Sequence, residues 1–174
     1  FDALDEYGAV YERGSSSPFI ADSLLSVAVD MSGFTPADSV YLSFFYQPQG
    51  RGDAPESTDS LVCEIGFYDK WNDTVKFVHL WSRSGLTLDD FLSEDSSHFF
   101  REVRIPIVDT SFFSEKVYLL FYNYASLSPA MYPNDRSNVD QWSIDYVYLA
   151  ANRTSVSEGD RKMSFSEHAP SLLK

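Results

Sequence analysis

The chain is short of the residues on which several kinds of site depend. It contains a single cysteine, Cys63, which excludes an intrachain disulfide and a cysteine-based zinc site. Only 13 basic residues stand against 26 acidic ones, so the net charge is −13, and nucleic acid or an anionic bilayer would repel such a surface. No apolar run approaches the roughly 18 residues that a membrane-spanning helix needs. We therefore expect a soluble body with no nucleic-acid partner and no direct membrane insertion.

Aromatic residues, in contrast, are plentiful. They make up 16% of the 174 residues, and hydrophobic residues as a whole make up 44%. A chain of this length and composition suits one domain with a substantial core. Because it begins with Phe and has no signal-like start, we expect it to be part of a longer protein. Residues 1–153 are predicted to form the domain, and the polar residues 154–174 a C-terminal extension or linker to a further region.

Alternation of apolar and polar residues predicts about eight β-strands. Residues 40–47 and 142–150 are strong examples, and the other predicted strands are 7–12, 26–30, 60–68, 75–82, 99–106 and 116–124. Residues 86–95 offer only a possible short helix. Turn residues separate the strands and no long helical period is present. The sequence therefore predicts an all-β fold, an antiparallel two-sheet β-sandwich of jelly-roll type.

The predicted strand 142–150 contains an unusual residue. Its alternation groups Trp142, Ile144, Tyr146 and Tyr148 on one face and leaves Asp145 on the other. Aspartate is disfavoured within strands. We therefore expect Asp145 either to hold a neighbouring loop through backbone N–H groups or to bind a cation.

Several segments together resemble known jelly-roll modules. LSFFYQPQGRGD, SLVCEIGFYD, VYLLFYNYAS and DQWSIDYVYLAANR look like parts of the MAM and concanavalin-like type. More narrowly, nearly the whole chain resembles a jelly-roll domain of secreted or surface proteins of Bacteroidota, which are often associated with gliding motility or protein secretion. This resemblance implies a sandwich module with an extracytoplasmic location (cell surface, secreted or periplasmic). It implies no reaction.

Catalytic groups do not form a recognisable pattern. Glycoside hydrolysis on such a fold needs two carboxylates facing a groove, and Glu64 and Asp145 are strand carboxylates that could be considered. The acidic cluster E-x-D-x-x-E, which marks the concanavalin-type hydrolases, is absent from the sequence. Cys63 and His79 lie in apolar strand contexts and are expected to be structural. We therefore expect a domain without a catalytic site.

A structural calcium ion is a further expectation, because jelly-roll sandwiches often bind one near the chain termini through carboxylates and carbonyls. The first and last strands commonly neighbour each other in this topology, so acidic residues at both ends could meet. The candidate ligands are Asp2, Asp5, Asp140 and Asp145. A second acidic group, within residues 53–59, lacks the regular spacing of an EF-hand loop.

Carbohydrate binding needs exposed aromatic rings, on which the C–H faces of sugars stack, with polar groups nearby for the hydroxyls. Trp71 lies in a polar turn and Tyr132 in a long loop, so these two are the candidate ligand-binding residues. Packing of Trp71 beneath a loop is an equally good interpretation. Trp81 and Trp142 follow strand patterns and are predicted to lie in the core.

The Bacteroidota resemblance also implies a glycosylation pattern, in which Asp is followed by Ser or Thr and then by an aliphatic residue. The candidate acceptors are Ser23, Ser39, Ser60 and Thr74.

Two functions remain open at this point. The leading hypothesis is a non-catalytic extracytoplasmic module that mediates protein–protein or surface-assembly interactions, with a protein of a surface or secretion assembly as its partner. The alternative is a carbohydrate-binding module with a glycan ligand or, less favoured, a glycoside hydrolase.

Overall fold

The computed structural model describes residues 19–126 and 140–154. These residues form seven strands, one α-helix and two short 3₁₀ turns, at Pro36–Asp38 and Thr110–Phe112. The strands and the helix are β1 (Phe19–Leu25), β2 (Tyr41–Pro48), β3 (Ser60–Asp69), β4 (Thr74–Ser84), α1 (Leu88–Glu94), β5 (Arg101–Pro106), β6 (Val117–Ala125) and β7 (Trp142–Ala150). No helix among the described residues is long and apolar enough to cross a membrane.

The strands form two antiparallel sheets. One has four strands in the order β1-β6-β3-β4, and the other has three in the order β5-β2-β7. Apart from the β3–β4 hairpin, each strand lies in the opposite sheet from the strand before it. This alternation is typical of the jelly roll and avoids long same-sheet crossovers. The predicted antiparallel β-sandwich is confirmed.

The core lies between the two sheets and is built around aromatic rings. Phe44 of β2 is fully buried and contacts rings of the opposite sheet edge-on, with centroids 5.2 Å from Trp81 and 5.0 Å from Phe121. Such edge-to-face pairs contribute beyond the area that they bury. Trp142 at the start of β7 is also buried, so the predictions that Trp81 and Trp142 belong to the core are confirmed.

Helix α1 closes one end of the sandwich. The Thr87 side chain caps it by accepting a hydrogen bond from the Asp90 backbone N–H. Phe91 is its buried residue, and its ring lies 5.5 Å from that of Tyr46 and 4.0 Å from the Arg101 guanidinium carbon. The possible helix at residues 86–95 is therefore real.

Most predicted strands are confirmed, but the one at residues 26–30 is wrong. The observed strand β1 precedes it, and residues 26–30 contact β6 through an isolated bridge between Val29 and Val117 and through the Ser26 N–H to Leu119 O bond. The reason is that the Ser26 hydroxyl accepts the hydrogen bond of the Leu119 N–H, where a ladder would need a backbone carbonyl. Residues 7–12 and 155–174 lie outside the described residues, so the division at residue 153 stays a prediction.

Candidate functional site

The outer face of the three-stranded sheet carries exposed aromatic side chains. Tyr146 and Tyr148 of β7 are 62% and 54% exposed. Phe45 of β2 packs against Tyr146 with ring centroids 6.5 Å apart and planes nearly perpendicular. Phe45 points outward because its neighbours Phe44 and Tyr46 belong to the core. We call Phe45, Tyr146 and Tyr148 the aromatic face.

Charged and polar groups border the aromatic face in a fixed network. The Arg153 guanidinium lies over the Tyr148 ring, 5.1 Å from its centroid, and its Nη1 donates to Ser43 Oγ at 2.7 Å. Glu102 Oε1 accepts from Arg104 Nε at 2.7 Å and lies 4.0 Å from Arg153 Nη2. The carboxylate is thus held between two guanidinium groups. Hydrogen-bond donors and acceptors are therefore held in place beside the rings.

A β-bulge in β7 decides which side chains reach this face. The pairing with β2 shifts register between Ser43 and Phe45, and Tyr146 adopts a left-handed backbone conformation with φ 54°. This conformation costs an L residue about 1–2 kcal/mol, and the Asp145 carboxylate helps hold it by accepting from the Tyr146 N–H at 2.7 Å. A bulge of this kind re-aims the residues that follow it.

The bulge also overturns the face assignment that regular alternation predicts. Trp142 and Ile144 pack on the core as predicted, but after the bulge Leu149 is the residue that packs inward. Tyr148 lies opposite the outward-facing Ser43. The prediction that Tyr146 and Tyr148 share a face with Trp142 is therefore wrong. The left-handed Tyr146 is the local feature responsible, and regular alternation gives no sign of it.

Trp71 lies at the tip of the β3–β4 hairpin and is 96% exposed. Packing beneath a loop, the alternative interpretation, is therefore wrong for this residue. The turn is organised by the buried Asp69, whose carboxylate accepts from the Trp71 N–H at 3.0 Å and from Asn72 Nδ2 at 2.7 Å. Lys76 Nζ lies 2.5 Å from the same carboxylate. Hydrogen bonds from Lys76, Asn72 and the Trp71 N–H lower the pKa of Asp69 to about 2.

Three carboxylates converge at the other end of β3. Asp59 and Asp140 are only 1% and 2% exposed, Glu56 is half-buried, and candidate ligand oxygens of the three lie within 4.8 Å of one another. Ser126 Oγ donates to Asp59 Oδ2 at 2.9 Å. Burial, together with the charges of Asp59 and Glu56, raises the pKa of Asp140 to about 9. We call Glu56, Asp59 and Asp140 the carboxylate cluster.

The carboxylate cluster combines residues from two acidic groups that the sequence analysis treats separately, the predicted terminal calcium ligands and the acidic residues within 53–59. Asp140 comes from the predicted terminal calcium site, whereas Glu56 and Asp59 come from the loop group. Asp145 is exposed and lies opposite Phe45 on the outer face, about 16 Å along an extended strand from Asp140. These two residues therefore do not share one ion. Asp2, Asp5 and Tyr132 lie outside the described residues.

The two strand carboxylates considered for hydrolysis lie on opposite sides of the sandwich. Glu64 lies between the inward-facing Cys63 and Ile65, so it points outward from the four-stranded sheet, where its Oε1 accepts from the Tyr122 hydroxyl at 3.0 Å. Asp145 points outward from the other sheet. Packed sheets are about 10 Å apart, so these carboxylates cannot flank one glycosidic bond at the roughly 5–9.5 Å that hydrolysis requires.

The other sequence candidates occupy varied positions. Cys63 is buried as predicted, and burial raises the pKa of its thiol to about 12. Among the predicted glycosylation acceptors, Ser23, Ser39 and Thr74 are exposed, whereas Ser60 is half-buried between the buried Asp59 and Leu61. Glycosylation itself stays a prediction.

Comparisons with known proteins give similarities of fold. No protein-family model matches the chain, and no curated protein does. Among solved structures, a protein described as "Family 16 Carbohydrate Binding Module-2" is similar with a TM-score of 0.39 and 10% identity, over 78% of this chain and 72% of that one. A "non-crystalline cellulose specific carbohydrate-binding module", CBM28, is similar with a TM-score of 0.44 and 13% identity, over 76% of this chain and 72% of the other.

Both similar proteins are described as carbohydrate-binding modules. Neither finding bears on the Bacteroidota resemblance or on gliding motility, which stay predictions. At these identities and TM-scores the likeness is one of fold, and the choice of ligand depends on the side chains described above.

Proposed function

We propose that this domain binds a neutral glycan on the outer face of its three-stranded sheet. The observation that carries this proposal is the aromatic face, with two largely exposed tyrosines beside an ordered polar network. Tyr146 and Tyr148 lie two residues apart on one strand, and exposed groups of large apolar side chains are typical of interaction sites. Their rings offer apolar surfaces of the size of a sugar ring.

The polar network supplies the second half of sugar recognition. Sugar hydroxyls are both donors and acceptors, and the network offers a carboxylate acceptor on Glu102 and guanidinium donors on Arg104 and Arg153. Arg153 is already fixed by its contact with Tyr148 and its hydrogen bond to Ser43. A ligand therefore meets groups that lose little further freedom on binding.

Charge favours a neutral polymer over an acidic one. Arg104 and Arg153 are balanced locally by Glu102 and Asp145, so the face itself carries no net charge. The chain as a whole carries −13, and this would repel polyanionic glycans at low ionic strength. Neutral polysaccharides such as glucans, mannans or xylans are therefore the proposed ligand class.

Affinity electrophoresis of the purified protein against soluble neutral polysaccharides tests this function. At least one polymer is expected to retard the wild type, and Tyr148→Ala is expected to weaken the retardation at least about tenfold, the effect of losing roughly 1.4 kcal/mol. Phe77→Ala is the matched control, because Phe77 is a partly exposed aromatic on β4 of the opposite sheet. It is expected to leave retardation unchanged.

Trp71→Ala distinguishes the two possible locations of the glycan site, the aromatic face and the tip of the β3–β4 hairpin. The hairpin tip belongs to the four-stranded sheet, so a short sugar cannot contact Trp71 and Tyr148 together. Loss of retardation in Trp71→Ala alone would move the site to the hairpin and contradict the proposed face. Absence of retardation by every polymer would contradict glycan binding itself.

Assembly through a protein partner is the rival function, and one surface favours it. Ile20, Leu24, Leu25 and Val27, in and just after β1, are all more than half exposed, and among the described strands β1 lies at the edge of its sheet. Exposed apolar edges are typical of interaction surfaces. Light scattering of the purified domain over a wide concentration range would favour this rival if it revealed association that Leu25→Ser abolishes.

The proposed place of action is outside the cytoplasm, at the cell surface, in the periplasm or in the medium. It follows from the resemblance to secreted and surface proteins of Bacteroidota and suits a polysaccharide ligand. Fractionation of the native host is expected to recover the protein outside the cytoplasm, and exclusive recovery in the cytoplasm would contradict this.

A further inference from the structure

The carboxylate cluster lies at the opposite end of β3 from Trp71 and away from the aromatic face. We propose that Glu56, Asp59 and Asp140 bind one calcium ion, which fastens the loop before β3 to the start of β7. This inference does not rest on glycan binding, and it names a different set of ligands from the Asp2, Asp5, Asp140 and Asp145 that the sequence suggests.

The spacing of the cluster suits a single ion. Candidate ligand oxygens from the three residues lie within 4.8 Å of one another. Calcium binds oxygens at about 2.3–2.6 Å, so two ligands on opposite sides of one ion lie about 5 Å apart. Oxygens at adjacent coordination positions lie closer. The three carboxylates therefore match the span of one coordination sphere.

Two buried oxygens of the cluster lack a partner. Asp59 Oδ1 and Asp140 Oδ2 are inaccessible to solvent and make no hydrogen bond, although both side chains are at least 98% buried. The local donors do not reach them, because Ser126 Oγ and the Glu56 N–H both donate to Asp59 Oδ2. Buried oxygens without a partner are rare and costly. They are the positions that a bound cation would fill.

No basic side chain in the described part of the chain forms an ion pair with the cluster. None of the ion pairs formed within residues 19–126 and 140–154 includes Glu56, Asp59 or Asp140. Three carboxylates this close repel one another strongly in a buried setting. A divalent cation would remove the repulsion, and both unpartnered oxygens could bind to it as ligands.

The ligand set favours calcium over other metals. It contains only oxygen donors, with no histidine or cysteine, so zinc and copper are disfavoured. Two ligands come from the loop before β3 and one from the segment just before β7. Such irregular sets suit calcium, which tolerates variable geometry, better than magnesium, which needs a near-ideal octahedron. The half-buried Glu56 leaves an open side for water ligands.

The proposed ion would reinforce the connection between the loop before β3 and the segment that leads into β7. Backbone groups already join them through the bridge between Asp53 and Asp140, the Gln141 N–H to Asp53 O bond of 3.1 Å and the Gln49 N–H to Gln141 O bond of 2.7 Å. The loop also packs against Gly85, where any side chain would overlap the Glu56 carbonyl oxygen. An ion at the cluster would add direct links between these segments.

Thermal unfolding of the intact chain in calcium chloride and in chelator tests the proposal. A Tm rise of about 5–10 °C is expected when free calcium exceeds its Kd about 100-fold. Terbium, a calcium substitute, gives a direct readout, because Trp142 lies about 7 Å along the strand from Asp140 and can sensitise its luminescence. The terbium signal is expected to saturate at one ion per chain in the cluster and to fall when calcium is added.

Variants separate the cluster from other acidic groups. Asp140→Asn is expected to weaken the competition of calcium with terbium at least tenfold. It is also expected to raise the Tm in chelator, because an amide avoids the cost of burying and protonating the Asp140 carboxyl group. Asp145→Asn is the control from the same strand and is expected to behave as the wild type. Glu56→Gln, at a half-buried position, gives the same test if Asp140→Asn does not fold. Equal Tm values of the wild type in calcium and in chelator would overturn the proposal. Terbium luminescence that is lost in Asp145→Asn but kept in Asp140→Asn would also overturn it.

Discussion

Two neighbouring residues of β7, Tyr148 and Leu149, give a sharp test of the bulge on which the aromatic face depends. Regular alternation would bury Tyr148 and expose Leu149, whereas the structure has the reverse. Leu149 packs on the core and lies opposite the fully buried Leu42. Tyr148 is 54% exposed and makes a contact with Arg153. Substituting each by alanine should therefore affect the free energy of unfolding very differently.

The magnitudes follow from burial. Buried Leu→Ala changes cost about 2–5 kcal/mol, and the half-buried Leu149 should fall near 2 kcal/mol. Tyr148→Ala loses a cation–π contact worth about 0.5–1 kcal/mol at an exposed site, and little core packing. We expect a difference of at least about 1 kcal/mol between the two variants.

Urea unfolding followed by tryptophan fluorescence measures this difference. With an m value of about 2 kcal/mol/M, Leu149→Ala should lower the midpoint by about 1 M and Tyr148→Ala by less than about 0.5 M. An m value equal to that of the wild type in both variants would show that neither substitution changes the surface exposed on unfolding. A larger loss in Tyr148→Ala than in Leu149→Ala would refute the bulge and, with it, the aromatic face.

Three further predictions concern other parts of the chain. Folding lowers the pKa of Asp69 to about 2, so its carboxylate stabilises the hairpin fully at pH values above its unfolded pKa of about 3.9 and loses this effect as the pH falls towards 2. The NMR shift of the Trp71 amide should therefore titrate with a midpoint near pH 2. A midpoint near pH 3.9 would contradict the hydrogen bonds of this turn. Cys63, whose pKa is about 12, should react with a thiol reagent at pH 8 only after unfolding. If the native host glycosylates the domain, peptide mass spectrometry should find glycan on Ser23 or Thr74 rather than on Ser60, and an intact mass equal to the bare sequence would contradict glycosylation.

Much of the fold could be predicted from local patterns. Residues 142–150 match β7, and the strand at 40–47 differs from β2 by one residue at each end, because both segments are rich in aromatic and β-branched residues bounded by turn signals. Alternation does not predict β1, because its sequence FIADSLL does not alternate and contains a bulge between Ile20 and Ser23. Its neighbour SVAVD alternates well, yet the Ser26 side chain interrupts its ladder.

The candidate sites were less predictable, for physical reasons. The exposure of Trp71 follows from a polar turn with no apolar partner nearby. The outward direction of Tyr148 depends on one left-handed residue, Tyr146, which periodicity does not reveal. The carboxylate cluster joins Asp59 and Asp140 from distant parts of the chain, and only the sheet topology brings them together.

NMR mapping of bound oligosaccharide tests glycan binding on the aromatic face most directly. Amide shifts of the ¹⁵N-labelled protein would be followed during titration with neutral oligosaccharides prepared from each polymer of the panel. The largest changes are expected at outward-facing residues of the three-stranded sheet, including Ser43, Phe45, Glu102 and Tyr148. Changes confined to the β3–β4 hairpin or to the four-stranded sheet, or no changes with any oligosaccharide, would contradict it.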